Sequence, residues 1–119
     1  MKKGRKISGG RYTQRRKKRL HERPGQKRIV KLGKERRKIK KIRGGNKKVF
    51  LLGVEYVNVV KKGSVKKAKI SNVIDTPSNR FLARQNVITK GTIVETDLGK
   101  VRITNRPSQE GLLNGILVE

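Results

Sequence analysis

From Lys48 to Val60 the chain runs KVFLLGVEYVNVV, a series of β-branched, aromatic and leucine side chains broken by Gly53. That composition predicts strand, and the internal glycine predicts a bulge or bend. KKGS (61–64) reads as a turn. VKKAKISNVID (65–75) then alternates, with Ala68, Ile70, Asn72 and Ile74 on one face and Lys67, Lys69 and Ser71 on the other. A period of two predicts a half-buried strand. TPSN (76–79) is a second turn, with Pro77 suited to its second position. RFLARQNVI (80–88) fits neither period. TIVET (92–96) and KVRIT (100–104) are strand-like, and Val101 and Ile103 share a face. DLG (97–99) joins them as a hairpin, with Gly99 available for positive φ. RPSQEG (106–111) is a loop, and LLNGILVE completes the sequence. Short strands spaced by roughly 8–12 residues predict an all-β fold, a small antiparallel β-barrel. Its closure would hide the strand edges, around the modest core that such a length allows.

The first 43 residues lack both periods. Their apolar positions are sparse: Ile7, Tyr12, Leu20, Ile29, Val30, Leu32, Ile39 and Ile42. TQRRKKRLHER (13–23) is rich in helix formers but has no apolar face to dock. KRIVKLG (27–33) suits a brief extended segment, and KERRKIKKI (34–42) puts Ile39 and Ile42 at helical spacing. With little burial to offset ordering entropy, residues 1–43 are expected to form a long extension, mostly irregular when free. Residues 44–119 are expected to form the barrel.

Charge sharpens this division. The chain carries 34 Lys+Arg against 8 Asp+Glu in 119 residues, a formal charge of +26. Residues 1–48 hold 23 of the cations and only two acids, Glu22 and Glu35, for a net +21. Such density repels itself and calls for a polyanion: nucleic acid, an anionic membrane surface or an acidic protein. The chain has no cysteine, which removes disulfides and thiolate metal sites. No apolar segment follows MKKGRK, and no run approaches the ~18 residues of a membrane span. A cytoplasmic protein without a membrane partner is therefore expected.

Catalysis finds little support. His21, the sole histidine, sits among cations in KKRLHERP and reads as solvated or beside a phosphate. Glu95 and Asp97 read as residues of a hairpin tip rather than an acid–base pair, and no Walker-type or dinucleotide-type glycine pattern occurs. No enzyme activity, cofactor, metal or small-molecule substrate is expected.

The basic runs carry more. Phosphate contacts are expected at Lys2, Lys3, Arg5, Lys6, Arg11, Arg15, Arg16, Lys17, Lys18, Arg19, Arg36, Arg37, Lys40 and Lys41. Charge alone does not choose between RNA and duplex DNA. Two glycine pairs lie among cations, in SGGR (8–11) and RGGNKK (43–48). Without a Cβ the backbone can approach a phosphate closely; the same glycines equally suit a linker or a turn into the first strand. Only Tyr12, Phe50, Tyr56 and Phe81 are aromatic. So few rings disfavour base stacking and favour recognition of backbone and shape, as for structured RNA. Arg80, Lys90, Arg102 and Arg106 are further candidates in the core half.

KISGGR, IRGGNKKV, TPSNR and above all NVITKGTIVETDLGKVRITNRPSQEGLLNGILVE resemble the ribosomal protein S8e family over almost the whole chain. One departure lies in the late loop, where Ser108 stands at a position the family pattern gives to glycine. The short length is similar to the archaeal form. The resemblance implies a β-barrel core with an N-terminal extension on small-subunit ribosomal RNA, beside other small-subunit ribosomal proteins. It implies RNA proximity for Ser8, Gly9, Gly10, Arg43, Gly44, Gly45, Asn46, Lys47 and Lys48, with no catalysis and no cofactor.

Overall fold

The computed structural model describes residues 4–12, 16–61 and 63–118. Eight strands and one short helix follow in chain order: β1 (Lys31–Leu32), β2 (Arg36–Lys41), β3 (Lys47–Val54), β4 (Tyr56–Lys61), β5 (Ser64–Asp75), α1 (Arg80–Arg84), β6 (Ile93–Thr96), β7 (Gly99–Ile103) and β8 (Asn114–Leu117). Strands β4 to β8 close into a five-stranded barrel, and β1, β3 and β2 form a separate three-stranded sheet in that order. The all-β reading holds. The antiparallel reading needs correction, because β8 pairs with β4 in parallel while it pairs with β7 antiparallel. β1 also runs parallel to β3. Both sheets are therefore mixed.

One apparent strand in the sequence is two in the structure. The run 48–60 is divided at Glu55, so that β3 belongs to the small sheet and β4 to the barrel. Gly53 does not break the strand; it permits a close approach. A Cβ there would lie 2.5 Å from the Lys34 carbonyl oxygen, and the expected bulge lies beside it, since one step along β2 from Arg36 to Arg37 spans two along β3 from Gly53 to Leu51.

The alternation along β5 is also revised. Ala68 and Ile70 face the core as expected, but Val73 is buried while Asn72 and Ile74 are exposed. The pairing with β6 slips between Ile70 and Asn72, and a bulge moves the next side chain to the other face. Local polar groups support it. Ser71 Oγ donates to the Glu95 carbonyl (3.1 Å), and Asn72 Oδ1 accepts from the Val73 N–H (2.9 Å).

Turn chemistry matches the sequence. In TPSN the Asn79 N–H closes on the Thr76 carbonyl (2.9 Å). The Asn79 side chain then caps α1 by accepting from the Phe81 N–H (3.0 Å), which settles the undecided 80–88 stretch as one helical turn and a half. Gly99 has φ +117, and Asp97 and Leu98 form the two-residue tip between β6 and β7. Ser108, the departure from the family pattern, lies in a turn without positive φ, so no glycine is required there.

The core is aliphatic, built from Leu51, Val57, Val59, Ile70, Val94, Val101 and Ile103 among others. Val30, from the basic half, is part of it at 1% exposure. It is held because Ile88 N–H donates to the Val30 carbonyl (2.9 Å) and Leu32 N–H to the Asn86 carbonyl (2.9 Å). The extension is therefore less irregular than its composition suggests. KRIVKLG is anchored between β3 and the segment after α1, and 36–41, read with helical spacing, is strand β2. Of TQRRKKRLHER, residues 13–15 lie outside the described residues, and the rest forms a single 3-10 turn at Leu20–Glu22. The molecule measures 65 × 35 × 28 Å with a radius of gyration of 20.9 Å. A compact chain of this length would give about 13–14 Å, so the arm stands well away from the barrel.

Barrel closure rests on a close approach at Gly115. A Cβ there would lie 2.4 Å from Val101 Cγ1 and 3.0 Å from the Arg102 carbonyl oxygen. Gly115→Ala should therefore destabilise the fold by about 1–3 kcal/mol through overpacking and lower the Tm by several degrees. Gly25→Ala, with nothing within 4 Å of its Cβ, is the control. Equal melting of the two variants would refute this account of closure.

Candidate nucleic-acid interface

The tip of the arm is a small hairpin. Arg5 and Arg11 pair across it, Lys6 N–H donates to the Gly10 carbonyl (2.9 Å), and Gly9 N–H donates to the Lys6 carbonyl (2.9 Å). Arg5 Nη1 reaches the Gly9 carbonyl at 3.2 Å. Ile7, Ser8, Gly9 and Gly10 thus form its turn, with Ile7 fully exposed. Lys6 Nζ lies 5.7 Å from the Tyr12 ring. Lys2, Lys3 and Arg15 lie outside the described residues.

Further along, the arm's first acid takes one arginine. Arg16 donates two bonds to the Glu22 carboxylate (2.9 and 2.5 Å), and the Arg19 N–H donates a third (2.9 Å). The Arg16 bonds first, and then the Arg19 amide, hold the Glu22 carboxyl below its ordinary range. Lys17, Lys18 and the Arg19 guanidinium are exposed and make no ion pair among the described residues. His21 is exposed in the same turn, with no side-chain hydrogen bond among the described residues.

Arginine 28 marks the point where the arm meets the folded body: its guanidinium stacks 3.8 Å from the centre of the buried Phe50 ring. Strand β2 follows at the open edge of the small sheet, and all six of its residues are exposed. The arm's second acid, Glu35, pairs with Arg37. No carboxylate pairs with Arg36, Lys38, Lys40 or Lys41 among the described residues.

The hairpin joining β2 to β3 concentrates charge. Lys41 stands directly opposite Lys47, and Lys40 opposite Lys48. Side chains so placed have Cβ atoms about 4.5–5.5 Å apart, and like charges there destabilise a sheet. Arg43 adds a fifth cation in the turn. Lys48 alone finds a local acceptor, donating to Gln109 Oε1 at 2.5 Å. Gly44 and Gly45 reverse the chain here with φ +80 and +77, and Ile42 N–H closes the turn on the Asn46 carbonyl (2.8 Å). Three residues, Arg43, Gly44 and Gly45, span the loop between Ile42 and Asn46, and the last two are left-handed. Gly45 has nothing within 4 Å of a Cβ, and Gly44 only Asn46 Nδ2 at 3.9 Å. The glycines are therefore required for backbone conformation, and they leave the turn open to solvent.

Of the four candidates in the core half, Lys90 and Arg102 flank one groove on the barrel. Arg80 lines a different hollow with Asp75 and Arg84. Arg106 supplies the carbonyl that accepts from the Gln109 and Glu110 N–H groups of the late loop (3.0 and 3.1 Å). Lys38 escaped the sequence reading. It shares the period-two face of Arg36 and Lys40, a relation hidden while 34–42 was read at helical spacing.

Comparison with known proteins identifies the family of the chain. The family model described as Ribosomal protein S8e matches residues 1–118. The small ribosomal subunit protein eS8 of Staphylothermus marinus is 51% identical over 118 residues, spanning 97% of this chain and 92% of that one. The protein of the same name from Nanoarchaeum equitans is 51% identical over 112 residues, covering 85% and 88%. That of Methanospirillum hungatei is 42% identical over 117 residues, covering 97% and 94%. Matched from the tip of the arm to the last barrel strand, the chain belongs to the ribosomal protein S8e family, a family of ribosome constituents and not of enzymes.

Proposed function

We propose that the chain is a structural constituent of the small ribosomal subunit, ribosome-bound in the cytoplasm, where it binds and stabilises folded ribosomal RNA. The arm (1–43) and the barrel half (44–119) divide the work. The arm reaches between RNA helices, and the barrel fixes it to the subunit surface beside other ribosomal proteins. One observation carries the RNA contact: the β2–β3 hairpin aligns Lys40 with Lys48 and Lys41 with Lys47, with Arg43 in the turn and no carboxylate ion-paired to any of them among the described residues. Phosphates placed along this edge relieve the repulsion that the register imposes. Lys6, Arg11, Lys17, Lys18, Arg19 and Lys38 extend the same field along the arm. Arginine side chains there can take two phosphate oxygens in fork geometry.

Binding of the full chain to protein-free small-subunit RNA tests this reading. With about 6–10 phosphates neutralised, affinity should fall by about 10³–10⁵ between 50 and 200 mM salt. Folded ribosomal RNA should be preferred over duplex DNA at moderate salt. A flat salt response would sink the electrostatic account, and equal affinity for duplex DNA would favour a general nucleic-acid binder.

Replacing Gly44 and Gly45 together with valine should break the hairpin turn, since valine pays heavily for positive φ. Hydrogen exchange should quicken in 36–49 while the barrel strands stay protected, and RNA affinity should fall. Unchanged affinity would reduce the glycines to a linker.

Glu22→Gln should release Arg16 and remove one negative charge. RNA affinity should rise, and the salt slope should steepen by about one counterion. The depressed Glu22 carboxyl supports the 3-10 turn fully above its unfolded pKa. That support is lost as pH falls through the lower folded pKa. In the free protein, acid titration should melt this turn first by NMR; no change in residues 16–23 would refute the pairing.

A further inference from the structure

The outside of the barrel carries an apolar row that runs across several strands. Cross-strand register places Val65 opposite Val60, Val60 opposite Ile116, and Ile116 opposite Arg102. Four strands thus present one continuous outward row. Its aliphatic members are open to solvent, with Val65 65%, Val60 47% and Ile116 46% exposed. The alternate residues Val59, Val101, Ile103 and Gly115 are buried, so the outward direction of the row follows from the pleat. Leu98 and Val118 border the row, each 38% exposed. Val60, Ile116, Leu98 and Val118 floor a shallow groove of about 700 Å³ whose other lining residues include Lys61, Lys100 and Arg102, and Val65 continues the row beside it. No carboxylate lines it among the described residues.

This chemistry differs from that of the arm. The arm and the β2 edge also expose aliphatic side chains, such as Ile7, Leu20 and Ile39, but these are interspersed among cations. The barrel groove offers branched aliphatic side chains in register, with Arg102 ending the row and Lys61 and Lys100 lining the same groove. Valine and isoleucine give a phosphate no donor and give a base no ring to stack on. A contiguous apolar face rimmed by polar groups marks a protein contact. Within the groove β4 is already paired on both sides, to β5 and to β8. An occupant therefore reads side chains and does not add a strand at that point.

We infer that the groove over Val60 and Ile116, with Val65 beside it, docks a segment of a neighbouring small-subunit protein, apolar at its centre and carrying carboxylates that meet Lys61, Lys100 and Arg102. The inference rests on the ribosomal reading above and adds to it a second, separate face. RNA holds the arm and the hairpin; protein covers the barrel groove. Charge complementarity selects the occupant, since a cationic or neutral segment would leave three lysine and arginine side chains beside the apolar floor without partners.

The test uses the full chain with V60T/I116T, which removes apolar surface while keeping β-branched side chains in the strands. Val65→Thr, at the exposed end of β5, is the second variant and carries the test should the first lower the Tm. Two readouts separate the partners. One is affinity for protein-free small-subunit RNA. The other is retention, after a high-salt wash, in particles assembled from that RNA and total small-subunit proteins depleted of this chain. RNA affinity should stay within about twofold of the unmodified protein, while retention falls about tenfold. Unchanged retention would overturn the inference. Loss of RNA affinity in parallel with retention would also overturn it, by making the groove an RNA contact. Failure of the unmodified chain to bind the RNA would instead remove the ribosomal reading on which the inference stands.

Discussion

Everything beyond the barrel depends on how β8 reaches β4. The strand is four residues long, yet it must pair with β7 on one side and with β4 on the other. Gly115 makes this feasible, because its missing Cβ leaves room for Val101 and for the Arg102 backbone. Each of β4 to β8 runs antiparallel to the next, so closing an odd count of five strands sets β8 parallel to β4, and residues 104–113 join β7 to β8. Asn105 organises that loop: its amide donates to the Leu112 carbonyl (2.7 Å) and to Glu110 (2.8 Å), and its oxygen accepts from the Asn114 N–H (2.9 Å). The loop in turn holds β3. Pro107 is buried and its carbonyl accepts from the Leu51 N–H (3.1 Å), while Gly111 lies against Val49. Once β3 is fixed, β2 and the turn at Gly44–Gly45 project from it, and the arm extends from β1. A packing constraint at one glycine thus reaches the placement of the cationic edge.

Electrostatics works in the opposite sense. With +21 on the first 48 residues, the arm gains nothing by collapsing onto a body that is itself net positive. The two acids in that half do not neutralise it; each is taken by a nearby arginine, Glu22 by Arg16 and Glu35 by Arg37. These exposed pairs contribute little to overall stability, but they pin local geometry in a segment with few other constraints. The fold tolerates lysines facing lysines across β2 and β3 because the small sheet is anchored elsewhere, through Val30, Phe50 and Leu51 in buried positions.

How much of this was legible in the sequence follows from where local pattern and tertiary context agree. The turns at 76–79 and 97–99 and the inward face of Val101 and Ile103 depend on local chemistry, and they were readable. The bulge in β5 was not, since it answers to the register of β6, a strand some twenty residues away. The split of 48–60 at Glu55 was hidden because both pieces have the same composition and differ only in which sheet receives them. The nature of β2 was concealed by charge: RRKIKK has no apolar face to reveal a period, and its strand state is imposed by pairing with β3. The basic runs of the candidate site were visible from composition alone. Their alignment into opposing pairs was not, because it needs the register.

The same distinction explains why the barrel groove is not legible in the sequence. Val60, Val65 and Ile116 sit in three separate strands, each ordinary where it stands. They become a surface only when closure brings β8 beside β4, so the interaction face is a product of topology and not of any local motif. The basic runs are the reverse case, since their charge is written in contiguous stretches and would persist in an unfolded chain. The two faces should therefore differ in their dependence on the fold. Nonspecific attraction to phosphate survives loss of the barrel, whereas docking in the groove exists only while the β4–β8 pairing, and hence Gly115, holds it together.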